Sequence, residues 1–500
     1  MKKNEGVFST VIVLTITMFL VKVLSAVYRV PYQNVLGDAG LYAYQQVYPV
    51  IAIVSVLSLN AIPSVISQQQ DKNFPGKLVN VLRMISLLVL VILVVFSDGV
   101  TTLMGDVQLS GMFKAAALVL LPFSFVAVVR GRLQADNEMR TIAVSQLIDQ
   151  LLRVATILIA IFLFTKGFTI YESGMLSIFG SFLGISGAWL YLKYGRKLKI
   201  SGRGWLSAAE FKRFFVLTLF YSLSYLIMIL WQVVDSFTVL NGLKQSGLAI
   251  EEARVLKGIY DRGSSLIQMG LIVTTSFSLV LIPLLAAGRT SKDYTLMNDY
   301  ARSALKITII FSSAAAVGLM NLIRPFNLLL FEDTREAAAL GVYMLAIIFV
   351  SLIIMYTAML QVTEQYMIQA LGVAAGLIVK IVFNIILVTQ FDVFGAAVAT
   401  VSGLAVYTCL LHSSIHKRYT LTMRSFIIKW VIVLITMSAA LQIVCLIPAA
   451  TRVSALVVSL IGVALGVMIV ITALTKWKLL TKQEWTYLPF GDKIIDLMKE

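Results

Sequence analysis

The stretch VFSTVIVLTITMFLVKVLSAVYRV, residues 7–30, decides the fold class. It is apolar over a length that can cross a bilayer, which takes about 20 residues for ~30 Å of hydrocarbon. It also carries Lys22 and Arg29, which are 7 residues apart and so lie on nearly the same face of a helix. A charge that faces lipid is costly, so we predict that this helix lines a polar cavity, where a cationic wall would hold an anion. The alternative is that these side chains snorkel to a membrane interface.

The rest of the chain has the composition of a polytopic membrane protein. Of its 500 residues 59% are hydrophobic and 13% are charged, with a mean hydropathy of +0.90. A soluble chain is nearer about 25% charged. Repeated apolar runs predict an all-α protein, because a helix satisfies its own backbone hydrogen bonds in lipid. We predict 14 spans, at 7–30, 45–67, 80–104, 112–130, 142–164, 174–194, 212–240, 264–287, 303–324, 338–360, 366–388, 394–412, 425–447 and 453–475.

The distribution of basic residues predicts the orientation. A net charge of +16 could indicate nucleic acid, but the cations lie mostly in alternate loops, as the positive-inside rule requires. The 193–213 connection carries 7 Lys and Arg, whereas 98–111 and 389–393 carry none. We therefore predict that both termini are cytoplasmic. The loop 241–263 is an exception, since it carries cations on the predicted outer side and acidic residues that partly balance them.

An internal repeat predicts two halves. Ser58–Pro63 and Ser278–Pro283 both read S-L-x-x-I-P, at the second helix of each six-helix half. Halves with an even number of helices share one orientation and would be related by an axis along the membrane normal. The predicted organisation follows in chain order, with five segments: an N-lobe 1–195, a cytoplasmic linker 196–210, a C-lobe 211–416, two further helices 417–475 and a cytoplasmic tail 476–500.

Charges inside predicted spans are the candidate functional residues. Asp149 and Arg153 are spaced i,i+4 and can pair on one helix face, either as a neutral structural pair or as part of a substrate site. Lys380 lies deep in an apolar helix and needs a partner, for which Asp235 is the best candidate. Two further side chains could complete the hydrogen bonds of this pair, namely Asn384 and Thr400. Arg262 opens its span from the outer side, as a cavity residue or as an interface arginine.

Other motifs are interpreted as structural. His412 and His416 are spaced as a metal pair could be, but they lack a third ligand, and we predict a solvated loop and no metal site. Cys409 and Cys445 are predicted core residues without a disulfide. No phosphate loop of the G-x-x-x-x-G-K type is present, so no nucleotide site or cofactor is expected. Five tyrosines are interpreted as interface aromatics, with sugar-stacking groups as the alternative: Tyr28, Tyr32, Tyr42, Tyr44 and Tyr48.

The whole chain resembles the MOP exporter superfamily, in the polysaccharide-flippase branch of lipid II flippases and stage V sporulation protein B. The resemblance is carried by VKVLSAVYRVP (21–31), QQVYP (45–49), RGRLQADNEMRTIAVSQLIDQLLRV (130–154), YDRGSSLIQ (260–268) and FGAAVAT (394–400). It implies two six-helix lobes in a V around a central cavity, with two helices added at the end.

The resemblance also implies a site. Lys22, Arg29 and Arg262 fall at or near the cationic cavity positions of the lipid II flippases, with Lys22 where arginine is usual. Arg153 is a fourth candidate for substrate binding. Ion-coupled relatives use acidic residues in one lobe, whereas here Asp235 is accompanied by Lys380, which argues against sodium binding.

These observations predict a plasma-membrane flippase that moves an undecaprenyl-diphosphate-linked saccharide, such as lipid II, by alternating access. The expected partners are this lipid-linked oligosaccharide and membrane lipids, without nucleic acid, and the expected state is a monomer. One alternative is a cation-coupled multidrug antiporter of the same superfamily, which would be expected to have an anionic cavity. The other is an intramembrane glycosyltransferase or acyltransferase, but the acid–base or metal constellation that such an enzyme needs is missing from the sequence.

Overall fold

The computed structural model of the protein is all-helical over the residues it describes. These are residues 24, 28–69, 71, 73–196, 200, 204–290, 294–363, 365–419, 421 and 423–486, with the backbone alone at 272–290, 294 and 296. The helices are α1 Arg29–Val56, α2 Ile62–Ser67, α3 Phe74–Val95, α4 Ser97–Leu103, α5 Ser110–Ala117, α6 Leu120–Ala135, α7 Met139–Phe164, α8 Ile170–Leu190, α9 Ala208–Gln245, α10 Ile250–Thr290, α11 Tyr294–Asn321, α12 Ile323–Phe331, α13 Ala337–Met344, α14 Ala346–Val362, α15 Tyr366–His416, α16 Arg424–Val444, α17 Arg452–Lys476 and α18 Lys482–Thr486.

The lengths and hydropathies of these helices confirm a multi-pass membrane protein. Within the described ranges, 10 helices are long and apolar enough to cross a membrane, or 11 if the bent pair Val107–Ala117 and Leu120–Ala135 forms one span. Most of the predicted first span, 7–30, lies outside the described residues. The 51-residue helix α15 covers two predicted spans and contains a break at Phe391 and Asp392. The count of 14 spans and the arrangement in lobes stay predictions.

Gly37 turns the chain inside α1. Its φ of 72° lies in the left-handed region, which glycine adopts without the strain that a Cβ would bring. The hydroxyls of Tyr28 and Tyr44 are hydrogen-bonded at 2.9 Å, although they are 16 residues apart. A straight helix would separate them by about 24 Å, at ~1.5 Å per residue. The segments before and after Gly37 therefore fold back on each other, and this brings their tyrosines together.

The repeat S-L-x-x-I-P changes the helix geometry where its side chains are described. The backbone forms a π turn over Leu57–Ala61, immediately before Pro63 in α2. Proline has no N–H to donate and its ring crowds the preceding turn, so one turn of the helix widens. The second copy, Ser278–Pro283, lies in the part of α10 whose side chains are not described.

The chain divides by density of internal contacts into two units. The first comprises residues 1–261 and 384–392, and the second comprises 262–383 and 393–500. The first unit thus includes helix α9, which the sequence analysis assigns to the C-lobe, so the lobe boundaries stay a prediction. In the first unit an apolar core lies between α2, α3 and α6, and includes Val65, Leu78 and Val126.

The second unit has a core of its own that includes the C-terminal helix. Trp430 of α16 packs with Ile310 of α11 and with Trp485 of α18. Its indole Nε1 donates a hydrogen bond of 2.8 Å to Ser313 Oγ, which satisfies the polar end of a buried aromatic ring. The last described segment is thereby packed against the helices of this unit.

Candidate functional site

Arg29 is enclosed by tyrosine rings in the first unit. Its guanidinium lies 5.1 Å from the ring centroid of Tyr48 and 5.9 Å from that of Tyr28, and the residue is 0% exposed. The ring of Tyr44 packs against Tyr28, Tyr32 and Tyr48 at centroid distances of 5.3–6.1 Å. A cation over an aromatic face is stabilised by the ring quadrupole, most strongly where water is absent. The snorkelling alternative for Arg29 is therefore wrong, because its charge lies in the protein interior.

Burial also overturns the interpretation of the tyrosines as interface aromatics. Tyr28, Tyr32, Tyr42 and Tyr44 are each less than 5% exposed, and Tyr48 is half-buried. The turn at Gly37 causes the difference, because it directs the tyrosines of two helical segments towards one another rather than towards a membrane surface. We name the group of Arg29, Tyr28, Tyr32, Tyr44 and Tyr48 the arginine–tyrosine cluster.

A second group of charges lies on α6 and α7. Arg153 Nη2 donates to Asp149 Oδ1 at 3.1 Å, which confirms the i,i+4 pair predicted from the sequence. The other oxygen of Asp149, Oδ2, lies 3.9 Å from Nη2 of Arg130. Arg130 is 0% exposed, and its Nε donates to Ser145 Oγ at 3.1 Å. We name Arg130, Asp149 and Arg153 the charged triad.

The charged triad and the arginine–tyrosine cluster are neighbours. The guanidinium of Arg153 lies within electrostatic range of Tyr44, Tyr48 and Tyr28. The structure therefore brings Arg29 and Arg153, two of the predicted substrate-binding residues, to the same aromatic surroundings. Lys22 lies outside the described residues, so its position in this arrangement stays a prediction.

Arg262, in the second unit, is held by helix α12 and by the loop between α12 and α13. Its Nη1 donates to Asn327 Oδ1 at 3.1 Å and its Nη2 to Asp333 Oδ2 at 3.1 Å. Burial alone would raise the pKa of Asp333, but the Arg335 amide and guanidinium and the charge of Arg262 hold it below its ordinary value. Arg262 is 1% exposed, so the interface alternative is wrong for this residue. Its role towards a substrate stays a prediction.

Asp235 and Lys380, the predicted internal pair, each have hydrogen-bond partners in the structure. Asp235 Oδ1 accepts a hydrogen bond of 2.9 Å from Asn384 Nδ2, and Oδ2 accepts one of 3.2 Å from the Tyr260 hydroxyl. Lys380 Nζ donates to Thr400 Oγ1 at 2.5 Å. Asn384 and Thr400 thus complete hydrogen bonds as predicted, and both are 0% exposed. The pairing of Lys380 with Asp235 stays a prediction.

The carboxylate of Asp106, which no sequence pattern indicated, accepts hydrogen bonds from several side chains. Asp106 Oδ2 accepts hydrogen bonds from the hydroxyls of Tyr42 and Tyr171 at 3.1 and 2.8 Å. Arg254 approaches the same carboxylate as a fork, through Nε to Oδ2 and Nη2 to Oδ1, both at 3.0 Å. A single aspartate before a short turn carries no pattern that indicates this role. The available signal was the group of cations in the loop 241–263, on the predicted outer side, which indicated that some of them have buried acidic partners.

The cysteine predictions are tested by exposure, and the histidine prediction by the position of the two rings in the fold. Cys409 is exposed and Cys445 is half-buried, so neither is a core residue. Both thiols are free, as expected. His412 and His416 lie in the last turns of α15 rather than in a loop, and His412 Nδ1 shares a hydrogen bond of 2.8 Å with the Tyr356 hydroxyl.

An apolar cavity of about 530 Å³ also lies in the first unit, between helices α1, α3, α6 and α9. Its walls include Leu82, Phe123, Phe214 and Leu226, and nearly all of the lining surface is apolar. Such a surface cannot replace the hydration of a phosphate. This cavity therefore suits hydrocarbon, and the charged chemistry belongs to the arginine–tyrosine cluster and the charged triad.

Comparison with known proteins gives the class. A family described as polysaccharide biosynthesis protein matches residues 7–288. An uncharacterised membrane protein of Bacillus subtilis (strain 168), YabM, is 32% identical over 99% of this chain and 97% of its own length. The lipid II flippase MurJ of the same organism is 23% identical over 86% of each chain.

Solved structures share the fold. A lipid II flippase MurJ in an inward closed conformation has a TM-score of 0.71 at 17% identity, covering 92% of this chain and 98% of that one. A multidrug resistance MATE transporter of the MOP superfamily, in an inward-facing conformation, has a TM-score of 0.63 at 17% identity, covering 82% and 98%. These likenesses establish that the chain shares the fold of these two structures. The chain belongs to the polysaccharide biosynthesis protein family, whose model covers more than half of it.

Proposed function

We propose that the protein is a plasma-membrane flippase that moves a diphosphate-linked saccharide on a polyprenyl lipid by alternating access. The observation that carries the proposal is the enclosure of Arg29 among tyrosines, with Arg153 within electrostatic range of the same rings. Because the chain belongs to a polysaccharide biosynthesis family, the anion that these cations bind is expected to carry a saccharide. The relative named lipid II flippase makes a cell-envelope precursor the first cargo to test.

Guanidinium groups suit a diphosphate for a geometric reason. Their planar forks donate two parallel hydrogen bonds to phosphate oxygens, and each bond is strengthened by charge. Tyrosine hydroxyls can add donors and their rings exclude water, so the attraction acts in a medium of low dielectric constant. Arg29 and Arg153 therefore form the proposed clamp, with Lys22 and Arg262 as the further members that the resemblance implies.

Enclosure of Arg29 makes a conformational change necessary. With 0% exposure, its guanidinium meets an anion only after one or more of the tyrosine rings move. A transporter that closes around its site on one side of the membrane and opens on the other provides such a change. The saccharide head group would cross in the polar interior while the polyprenyl tail stays in lipid. Both termini are proposed to be cytoplasmic and the working unit a monomer.

A depletion–rescue experiment tests this function. In a bacterium whose lipid II flippase is depleted, wild-type protein should restore growth and should lower the level of inward-facing lipid II. Arg29→Met should not rescue at equal abundance, whereas Arg132→Met should, because Arg132 is an exposed cation elsewhere in the first unit. Failure of the wild-type protein to rescue, at normal abundance in the membrane, would exclude lipid II as the cargo.

A cation-coupled multidrug antiporter is a second candidate, favoured by one observation. The carboxylate of Asp235 is 2% exposed and accepts two hydrogen bonds, so it could serve as a buried site for a proton or metal cation. The buried guanidinium groups of Arg29 and Arg130 oppose a cationic substrate in the first unit. Sodium- or proton-driven export of ethidium from vesicles would support the antiporter, and absence of export together with growth rescue would exclude it.

A further inference from the structure

The charged triad contains one more cation than it has carboxylates. Arg130 and Arg153 carry two positive charges and Asp149 carries one negative charge, which leaves an excess of +1. Nη1 and Nη2 of Arg130 have no hydrogen-bond partner among the residues that the structure describes, although the side chain is fully buried. An uncompensated buried cation is unfavourable, so the triad is incomplete without a further anion.

The two guanidinium groups are not equivalent. Arg153 holds Asp149 at 3.1 Å, its side chain is 12% exposed, and it lies within electrostatic range of the tyrosines of the neighbouring cluster. Arg130 lies 3.9 Å from the other carboxylate oxygen and is sealed from solvent. An incoming anion therefore meets Arg153 first, but it must compete there with Asp149.

The carboxylate cannot move far from either arginine. A Cβ at Gly184 of α8 would collide with the carbonyl oxygen and the carboxylate of Asp149, so this glycine lets α8 pack directly over the residue. Ser145 fixes the other side by accepting from Arg130 Nε at 3.1 Å while donating to the Ile142 carbonyl at 2.7 Å. Asp149 is thus confined between two cations, and a shift of about 1 Å decides which of them it binds.

We infer that Arg130 is a positioning residue that takes over Asp149 when Arg153 turns to the phosphate of the substrate. In the unbound protein Asp149 neutralises Arg153. When the anion arrives, Asp149 moves onto the free Nη atoms of Arg130, and the excess charge of the triad is then neutralised by the substrate. This inference rests on the proposed function, because it names the residue that makes Arg153 available to a diphosphate.

Binding of farnesyl diphosphate to the purified protein in detergent tests the exchange. Arg130→Met should weaken binding about tenfold or more, the usual scale for losing a charge-assisted hydrogen bond, because Asp149 then stays on Arg153. Adding Asp149→Asn to that variant should restore binding to near the wild-type level, because nothing then competes for Arg153. A merely structural role of Arg130 predicts the opposite, that the second substitution adds to the damage. Arg132→Met, two residues along the same helix, is the matched control.

The outcomes separate this inference from the proposed function. If the wild-type protein binds farnesyl diphosphate and Arg130→Met binds it equally well, the exchange is wrong and the flippase proposal stands. If the wild-type protein does not bind, both are wrong. If Arg130→Met fails to fold, the single variant Asp149→Asn tests the inference. It should bind farnesyl diphosphate at least as tightly as wild type if Asp149 competes with the anion. It should bind more weakly if the triad is only structural. Melting temperatures without ligand identify any variant that fails to fold.

Discussion

Asp106 and Arg254 are joined by two hydrogen bonds of 3.0 Å, although they are 148 residues apart in the chain. The pair is buried, and Asp106 also accepts from the hydroxyls of Tyr42 and Tyr171. Lys257 is paired with Asp261 one helical turn further along, through a single hydrogen bond of 2.6 Å from Nζ to Oδ1. These two cations are therefore neutralised inside the protein, so their place in a loop that is predicted to lie outside does not argue against the proposed orientation.

Breaking the Asp106–Arg254 pair should destabilise the first unit. Asp106→Asn leaves the guanidinium buried without its fork partner, and removing one member of a buried ion pair costs about 3–5 kcal/mol. Thermal unfolding in detergent should show a marked fall in midpoint. Glu251→Gln is the control, because Glu251 also contacts Arg254 but its side chain is 73% exposed, and such pairs contribute about 0–1 kcal/mol. Equal midpoints for the two variants would contradict the assignment.

Arg29 should be more sensitive to shape than an exposed cation. Arg29→Lys keeps the charge but loses the planar fork and the broad contact with the tyrosine rings, so we expect binding of farnesyl diphosphate to weaken about tenfold. Arg29→Met should bind at least another tenfold more weakly, because the charge itself is gone. Equilibrium binding measured beside melting temperature separates the two effects. Wild-type affinity in Arg29→Met would show that this arginine only supports the packing of the tyrosines.

Lys22 supplies a test that rests on the sequence alone. We expect Lys22→Ala to abolish growth rescue at normal abundance, and Lys22→Arg to keep most of it, because the predicted role needs a positive charge rather than one particular shape. Complementation with immunoblotting measures both. Full rescue by Lys22→Ala would mean that the lysine is structural or snorkels to the interface.

Sodium dependence tests the predicted pair of Asp235 and Lys380. A lysine ammonium would supply permanently the positive charge that a bound sodium ion supplies reversibly, so transport should not require sodium. Asp235→Asn and Lys380→Met should each do more harm alone than together, since a single change strands a buried charge. Transport is measured with and without sodium for the wild-type protein, the two single variants and the double variant. Additive losses combined with strong sodium dependence would contradict the pairing.

Cysteine labelling tests the orientation. In a background with Cys409 and Cys445 replaced by serine, Lys478→Cys should react with a membrane-impermeant maleimide only after the cytoplasmic face is opened. Gln108→Cys should react in intact cells, because the loop that contains it carries no basic residue and is predicted to lie outside. Labelling of Lys478→Cys in intact cells would reverse the proposed topology.

The sequence predicted well wherever local pattern determines structure. Apolar runs identified the membrane helices, because a helix is the way for a single segment to satisfy its backbone groups in lipid. The i,i+4 spacing identified the Asp149–Arg153 pair, since neighbours on one helix face are fixed by helical geometry. Family membership was also readable, because the motifs that carry the resemblance are local strings of residues.

Only the tertiary structure decided which distant side chains meet. The break at Gly37 folds two tyrosine-bearing segments around Arg29, and neither the angle of such a turn nor its packing partners follow from the spacing of residues. The pairing of Asp106 with Arg254 depends on helices that are far apart in the chain, and the third member of the charged triad, Arg130, comes from a different helix than its partners. The sequence by itself determined which segments are helical and membrane-spanning, because those properties are local sums along the chain. Which residues pair with its buried charges was decided by the packing of the helices, because electrostatic energy depends on distances through space rather than along the chain.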